Sequence, residues 1–404
     1  WNPPKSVLDD LYNRNYQIQD VYPGRFTTGI NNLLQTLDIS FYPKQRGPYN
    51  YEFNNSATPG ISQGINRDGS LKDPKTRWGG IQRSLENTNF EVNNIEFIQF
   101  WMLDPFIKDK NNKGDMYFNI GYISEDVLKD SRLSFEQGLV DRNGASSNLI
   151  SESRWSWIPK TQPLINGFSN EPNTRQFQDV GLDGVSNENE REKFKQFLER
   201  VKLNLDPQAY TIMESDPSTD DFKHFLNPSL PQIDIVGLYK SFNGVDNNTP
   251  IISTSGVPQS NYGTPDNEDI NRDNTLNENE AYFQYRLNLF PGMDVGSHPY
   301  IVTKTVSDGA TDPQGNKAVW YQFRIPIKEY THRVGEIGDF RNIQFVRMFL
   351  TNFEDNVTVR MVDLSFVRNQ WRKYTGSIQA PTDFIPRDNG ETEFFDVGAV
   401  SLEE

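Results

Sequence analysis

The run Asn94-Ile95-Glu96-Phe97-Ile98-Gln99-Phe100-Trp101-Met102-Leu103 limits most strongly what this chain can fold into. Its β-branched and aromatic side chains suit a pleated strand, and it is apolar on both faces for most of its length. Such a strand has to be covered on both sides, so it belongs deep in a larger β-structure. It stops at Asp104-Pro105, and after the charged turn 108–114 (KDKNNKG) residues 116–122 (MYFNIGY) read as a return strand. The two together predict an antiparallel pair with a long tip. The pattern then recurs. Asn342-Ile343-Gln344-Phe345-Val346-Arg347-Met348-Phe349-Leu350-Thr351 repeats the Asn, Ile and Phe of the first run, with Gln344 in place of Glu96 and Val346 in place of Ile98. A turn at Glu354-Asp355-Asn356 leads to a second return strand over 357–367. Each copy follows a Trp-containing segment, Trp78-Gly79-Gly80-Ile81 in one and 320–327 in the other.

The expected fold is therefore mainly β. It has two related sandwich units of jelly-roll or galactose-binding-like type, separated by a loop-rich, partly helical, calcium-binding insertion. Residues 1–160 hold an N-terminal extended segment and the first unit. Residues 161–280 are the insertion, 281–375 the second unit and 376–404 a C-terminal tail. Whether the copies share one sandwich or build two is left open. Within the insertion, residues 188–202 predict a helix, with Phe194, Phe197, Leu198 and Val201 forming one apolar stripe. The stretches 233–239 and 282–290 read as strands.

Charge and composition narrow the function. With 40 Lys and Arg against 55 Asp and Glu, the net charge is −15, which argues against nucleic acid and anionic lipid and suits divalent cations. There is no cysteine and there are only 3 His, so thiolate sites, disulfides and a His-rich zinc site are not expected. No apolar stretch is long enough for a transmembrane helix. The chain lacks an initiator Met and a signal peptide and reads as a piece of something longer.

Two loops have the spacing of calcium ligands, which in a 12-residue loop come from positions 1, 3, 5, 7, 9 and 12. The first spans 269–280 and offers Asp269, Asn271, Asp273, the Thr275 carbonyl, Asn277 and Glu280. Its sixth position is Asn274, which tolerates the left-handed turn needed there. A strand rather than a helix follows, so a fixed structural calcium site is expected. The second loop spans 179–190 and offers Asp179, Asp183, the Val185 carbonyl, Asn187 and Glu190. It is the weaker match, since Gly181 brings no ligand at position 3. A solvated acidic turn is the bland alternative for both. The sequence has no H-E-x-x-H, P-loop or G-x-G-x-x-G motif, and a non-enzymatic role is expected.

Several strings spread along the chain in order resemble one family. They are 46–51 (RGPYNY), Trp78-Gly79-Gly80-Ile81, 96–106 (EFIQFWMLDPF), 119–128 (NIGYISEDVL), Asp183-Gly184, 216–222 (DPSTDDF), 265–274 (PDNEDINRDN), 320–326, 345–350 (FVRMFL), 364–371 and 395–404. They resemble the SprA family, also called Sov, the giant outer-membrane translocon of the type 9 secretion system of Bacteroidetes. The resemblance implies a part in exporting folded proteins through a very large β-barrel and in surface and gliding machinery. It implies other parts of that barrel, a PorV-like shuttle, a plug protein and secreted cargo as partners. This chain lacks the many alternating lipid-facing strands of such a barrel. The implied role is that of a segment outside the lipid, at the outer membrane, with the cell-surface side favoured over the periplasm. A carbohydrate-binding β-sandwich module of a secreted protein is the alternative, with Trp155, Trp157 or Trp371 stacking on sugars, and a glycoside hydrolase is third.

Overall fold

The computed structural model describes residues 5–25, 32–48, 50, 64–126, 149–150, 158–159, 187–222, 235–242 and 268–368. Its strands are β1 (Leu37–Phe41), β2 (Trp78–Ser84), β3 (Ile95–Leu103), β4 (Gly114–Tyr122), β5 (Leu149–Ile150), β6 (Ile158–Pro159), β7 (Ala281–Leu289), β8 (Ile301–Thr311), β9 (Lys317–Pro326), β10 (His332–Val334), β11 (Phe345–Thr351) and β12 (Val357–Arg368). The helices are α1 (Lys5–Leu8), α2 (Ile18–Val21), α3 (Asn187–Lys193), α4 (Lys195–Lys202), α5 (Pro207–Ser215) and α6 (Ile235–Phe242).

The strands form two antiparallel 5-stranded sheets, ordered β1-β12-β3-β9-β8 and β10-β7-β4-β11-β2, besides the small pair β5-β6. The chain is mainly β, as expected. Setting aside the edge strands β8 and β10 and the small pair β5-β6, the strands switch sheet at every step except from β4 to β7, which pair with each other, and this is the order of a jelly roll. The expected local pairs do not form. β3 pairs with β9 and β12, and β4 pairs with β7 and β11, so the supposed hairpin partners lie in opposite sheets. The same holds for β11 and β12. A run apolar on both faces gains most as the central strand of a covered sheet, and a local hairpin leaves one of its edges without a neighbour.

This exchange answers the open question of one sandwich or two. The lead strand of the first copy pairs with the return strand of the second (β3 with β12), and the reverse pairing is β4 with β11. The two copies thus share a single sandwich. Its core lies between the sheets, where Phe100 stacks on Phe323 at 5.1 Å and meets Phe118 of the facing sheet at 5.6 Å.

The other face of β3 explains the rest of its apolar character. Trp101 and Leu103 join Trp320 and Val362 beneath Leu11, Tyr16 and Val21 of the N-terminal segment. Tyr16 meets Trp320 edge-on at 5.0 Å. That segment is a strap over the outer face of the first sheet, which we call the strapped sheet. The second we call the open sheet.

The insertion leaves the open sheet at Tyr122 and returns at Ala281, and these two residues are paired across β4 and β7. Gly121 is needed at that neck, because a Cβ there would come within 2.5 Å of the Ala281 carbonyl oxygen. The predicted helix is present as two pieces, α3 and α4, which break at Phe194. Phe194, Phe197, Leu198 and Val201 are buried together against α5 and the turn containing Ile65 and Leu71. Of the stretch expected as a strand at 233–239, residues 235–239 are instead helical, in α6, and the first two lie outside the described residues. Its Ile and Val favour a strand, but Ile235, Leu238, Tyr239 and Phe242 follow helical spacing, and that periodicity prevails.

Candidate metal centre

Glu190 projects from α3 into the helical cluster and is only 1% exposed. After α5 the chain turns sharply through Asp216 to Asp221. One Asp216 oxygen accepts the backbone N–H groups of Thr219 (2.7 Å) and Asp220 (3.2 Å), with Thr219 in the left-handed region at φ 63°. Arg46 donates to the Pro217 carbonyl at 2.7 Å and lies over the Phe197 ring, fixing the turn against α4. The turn brings Asp216 and Asp220 to Glu190, with an oxygen of each carboxylate within 4.8 Å of the others. Ser218 is buried between them, its Oγ 2.7 Å from Glu190 Oε1 and 2.5 Å from Asp220 Oδ1. A hydroxyl carries one proton, so it can serve only one of these acceptors at a time.

Two of these carboxylates resist ionisation. Burial first, and then the charge of Asp220, push Glu190 up to about 8. Burial, followed by Asp221 and Asp220, pushes Asp216 up to about 6. Two outcomes relieve such a cluster, namely protons or a hard cation, and carboxylate oxygens are what calcium takes. Glu190 was reached from its position at the end of the second loop. Asp216 and Asp220 were not, since nothing in sequence spacing ties them to a residue on another helix. Asp179, Asp183 and Val185 lie outside the described residues, as does the side chain of Asn187.

The first loop folds differently. Asp269 accepts the N–H groups of Asp273 (3.1 Å) and Asn274 (2.9 Å), and Asn274 is left-handed at φ 64°, the conformation expected of it. Asp273 accepts the Thr275 N–H and hydroxyl, at 2.9 and 2.5 Å, and these bonds hold its carboxyl below the usual range. The side-chain amide of Asn271 also donates to Asp273 at 2.9 Å. Asp269, Asn271, Asp273 and Thr275 are therefore brought together in one turn. Glu280 is taken elsewhere: Arg347 of the open sheet grips both its oxygens at 3.2 Å. Asn277 donates to Gln344 at 3.3 Å. The turn is anchored by Glu125, which follows β4. Its carboxylate accepts the N–H groups of Ile270 (2.8 Å), Asn271 (3.2 Å) and Asn277 (3.3 Å). Glu125 is a residue that sequence reasoning missed, because it comes from the opposite end of the insertion.

A G-x-S-x-G string occurs at 60–64, but Ser62 lies outside the described residues. The nucleophile elbow needs a strand before and a helix after, and Gly64 leads into the turn that joins Ile65 to Leu71. Trp155, Trp157 and Trp371 also lie outside the described residues.

Residues 196–404 match the SprA_N family, described as motility related/secretion protein. The chain belongs to that family. No curated protein matches it. The matched region covers just over half of the chain and runs from α4 through β12. Its strands alternate in both sheets with β1, β2, β3 and β4, which precede the match. The family segment is thus half of a sandwich that the preceding residues complete. The expected resemblance to SprA is met by this match.

Proposed function

We propose that this chain is a non-barrel segment of a type 9 secretion outer-membrane translocon. In this reading it has a structural and partner-binding role in exporting folded proteins and in surface and gliding machinery, with no catalysis of its own. The match to the motility and secretion family carries the reading. The fold supports it, because the sandwich seals its own core and one outer face, as a part standing outside the lipid would. Its partners in this account are the rest of the barrel, a PorV-like shuttle, the plug protein and cargo, and it lies on the cell-surface side.

Placement is tested by a thiol introduced into this cysteine-free stretch, with the unsubstituted parent protein as the labelling control. Val92 is 78% exposed on a turn. Val92→Cys in the parent protein should react with a membrane-impermeant maleimide in intact cells. Reaction only after the outer membrane is permeabilised would put the segment in the periplasm. A parent protein absent from the outer-membrane fraction would remove the translocon reading altogether.

We also propose that calcium is a structural ligand, held by Glu190, Asp216 and Asp220, and by the turn that gathers Asp269, Asn271, Asp273 and Thr275. The carboxylate trio supports the first of these most directly. A cation bound only by the folded chain raises its stability by mass action. Calcium should therefore raise the melting temperature above that in EGTA, with bound metal found by elemental analysis. Superimposable melting curves and no metal would end the proposal.

A further inference from the structure

The outer face of the open sheet has a composition that packing does not account for. Met116, Phe118 and Ile120 point into the core, so Asp115, Tyr117 and Asn119 point outward. Pairing then aligns two outward rows. One is Trp78, Thr351, Asp115 and Asn288, and the next is Gly80, Phe349, Tyr117 and Arg286. Trp78 is 71% exposed, whereas Trp320 on the strapped sheet is fully buried. Phe349 and Tyr117 stack with centroids 4.8 Å apart and planes 3° from parallel. On the other side of Phe349 stands Gly80. A Cβ there would come within 2.5 Å of the Met348 carbonyl oxygen and 2.6 Å of Phe349 Cβ. That strand position is therefore bare, a gap between Trp78 and Gln82, which lie about 13 Å apart along β2.

The polar side of the face is fixed. Asp115 is 2% exposed and accepts four hydrogen bonds of 3.0 Å, from Arg286 Nε and Nη2, Asn288 Nδ2 and Asn352 Nδ2. The charges cancel in place, Arg286 against Asp115 and Arg347 against Glu280. What remains is the exposed Trp78 indole and the half-buried Phe349–Tyr117 stack beside oriented neutral donors and acceptors, on a chain whose net charge of −15 repels polyanions. The ligand complementary to this is uncharged, with flat C–H faces and many hydroxyls.

We propose that these two rows bind a neutral glycan, with Trp78 and the Phe349–Tyr117 stack beneath the sugar rings and Arg286 and Asn288 holding hydroxyls. The site does not depend on the secretion role. The test is electrophoresis of the full 404-residue chain through native gels containing a soluble β-glucan, xylan or galactomannan, with alginate as the acidic counterpart. At least one neutral polymer should retard the protein and alginate should not. Trp78→Ala should weaken the retardation tenfold or more with an unchanged melting temperature, and Trp78→Phe should keep most of it. Arg286→Gln, on the opposite edge of the rows, should weaken it independently. No retardation in any neutral gel would overturn the proposal, as would retardation that survives in both Trp78→Ala and Arg286→Gln. Were the face instead to take an added peptide strand along β2, every gel would stay unshifted. A second copy docked there would show as a dimer by sedimentation. Either result also overturns it.

Discussion

The two outer faces of this sandwich carry similar aromatic side chains to different ends. On the strapped sheet, Trp101 and Trp320 are sealed under Tyr16, Leu11 and Val21 of the same chain, and one of the cations there is enclosed with them. Arg360 is buried, bonds both oxygens of Asp38 at 2.8 and 3.0 Å, donates to the Arg14 carbonyl and lies over the Tyr16 ring. On the open sheet, Trp78 stands in solvent and Arg286 is half exposed beside a buried Asp115. An aromatic residue under a strap contributes to stability. The same residue type on an open, charge-neutral face contributes little to stability and is available for contact.

The largest contrast should come from the tryptophans. Trp320→Ala removes a fully enclosed side chain and should cost about 3–5 kcal/mol. Trp78→Ala should change stability by no more than about 0.5 kcal/mol. Urea unfolding of the two variants measures this, and equal losses would mean that the faces do not differ as described.

The arginines should differ in the same direction by less. Arg360→Met removes a buried guanidinium and leaves Asp38 only the Thr36 hydroxyl, and should cost about 3 kcal/mol. Arg286→Gln leaves Asp115 the amides of Asn288 and Asn352, so the loss should be near 1 kcal/mol. A larger effect from Arg286 would show that the open face is held together by its ion pair.

A third expectation concerns the carboxylate trio in protein stripped of metal. Glu190 and Asp216 have raised values, so between pH 4.5 and about 8 the folded state binds more protons than the unfolded one. Stability from this cluster is complete at the acid end of that window and is lost as pH rises through it. Calcium should flatten the slope. Glu190→Gln should stabilise the metal-free protein at pH 8 and weaken it in calcium, and a variant with the same sign in both would exclude a cation there. His298 supplies the opposite, smaller trend. Its Nδ1 accepts the Tyr300 N–H at 3.2 Å within an aromatic pocket, and burial lowers its pKa. Stability should therefore fall as pH drops through and below the ordinary histidine value of about 6.5. His298→Gln should reduce that acid-side loss in a urea titration.

The strands themselves were legible because β-branched and aromatic runs such as 95–103 and 345–351 leave few other options. Their partners were not, because pairing across the jelly roll joins residues far apart in the chain, and local order suggests hairpins first. The apolar outer face of β3 was visible, but nothing in residues 5–25 showed that they would cover it. The site divides in the same way. The left-handed Asn274 follows from loop spacing. Asp216, Asp220 and Glu125 become neighbours only once the helices and the neck of the insertion are in place.

The family-matched residues and those before them build one sandwich jointly. The direct test is to express residues 196–404 alone, residues 5–195 alone, and both together, and to follow near-ultraviolet circular dichroism on heating. Neither half should show a cooperative transition, and the two co-expressed should regain that of the intact chain. A cooperative melt from residues 196–404 alone would contradict the interleaved fold.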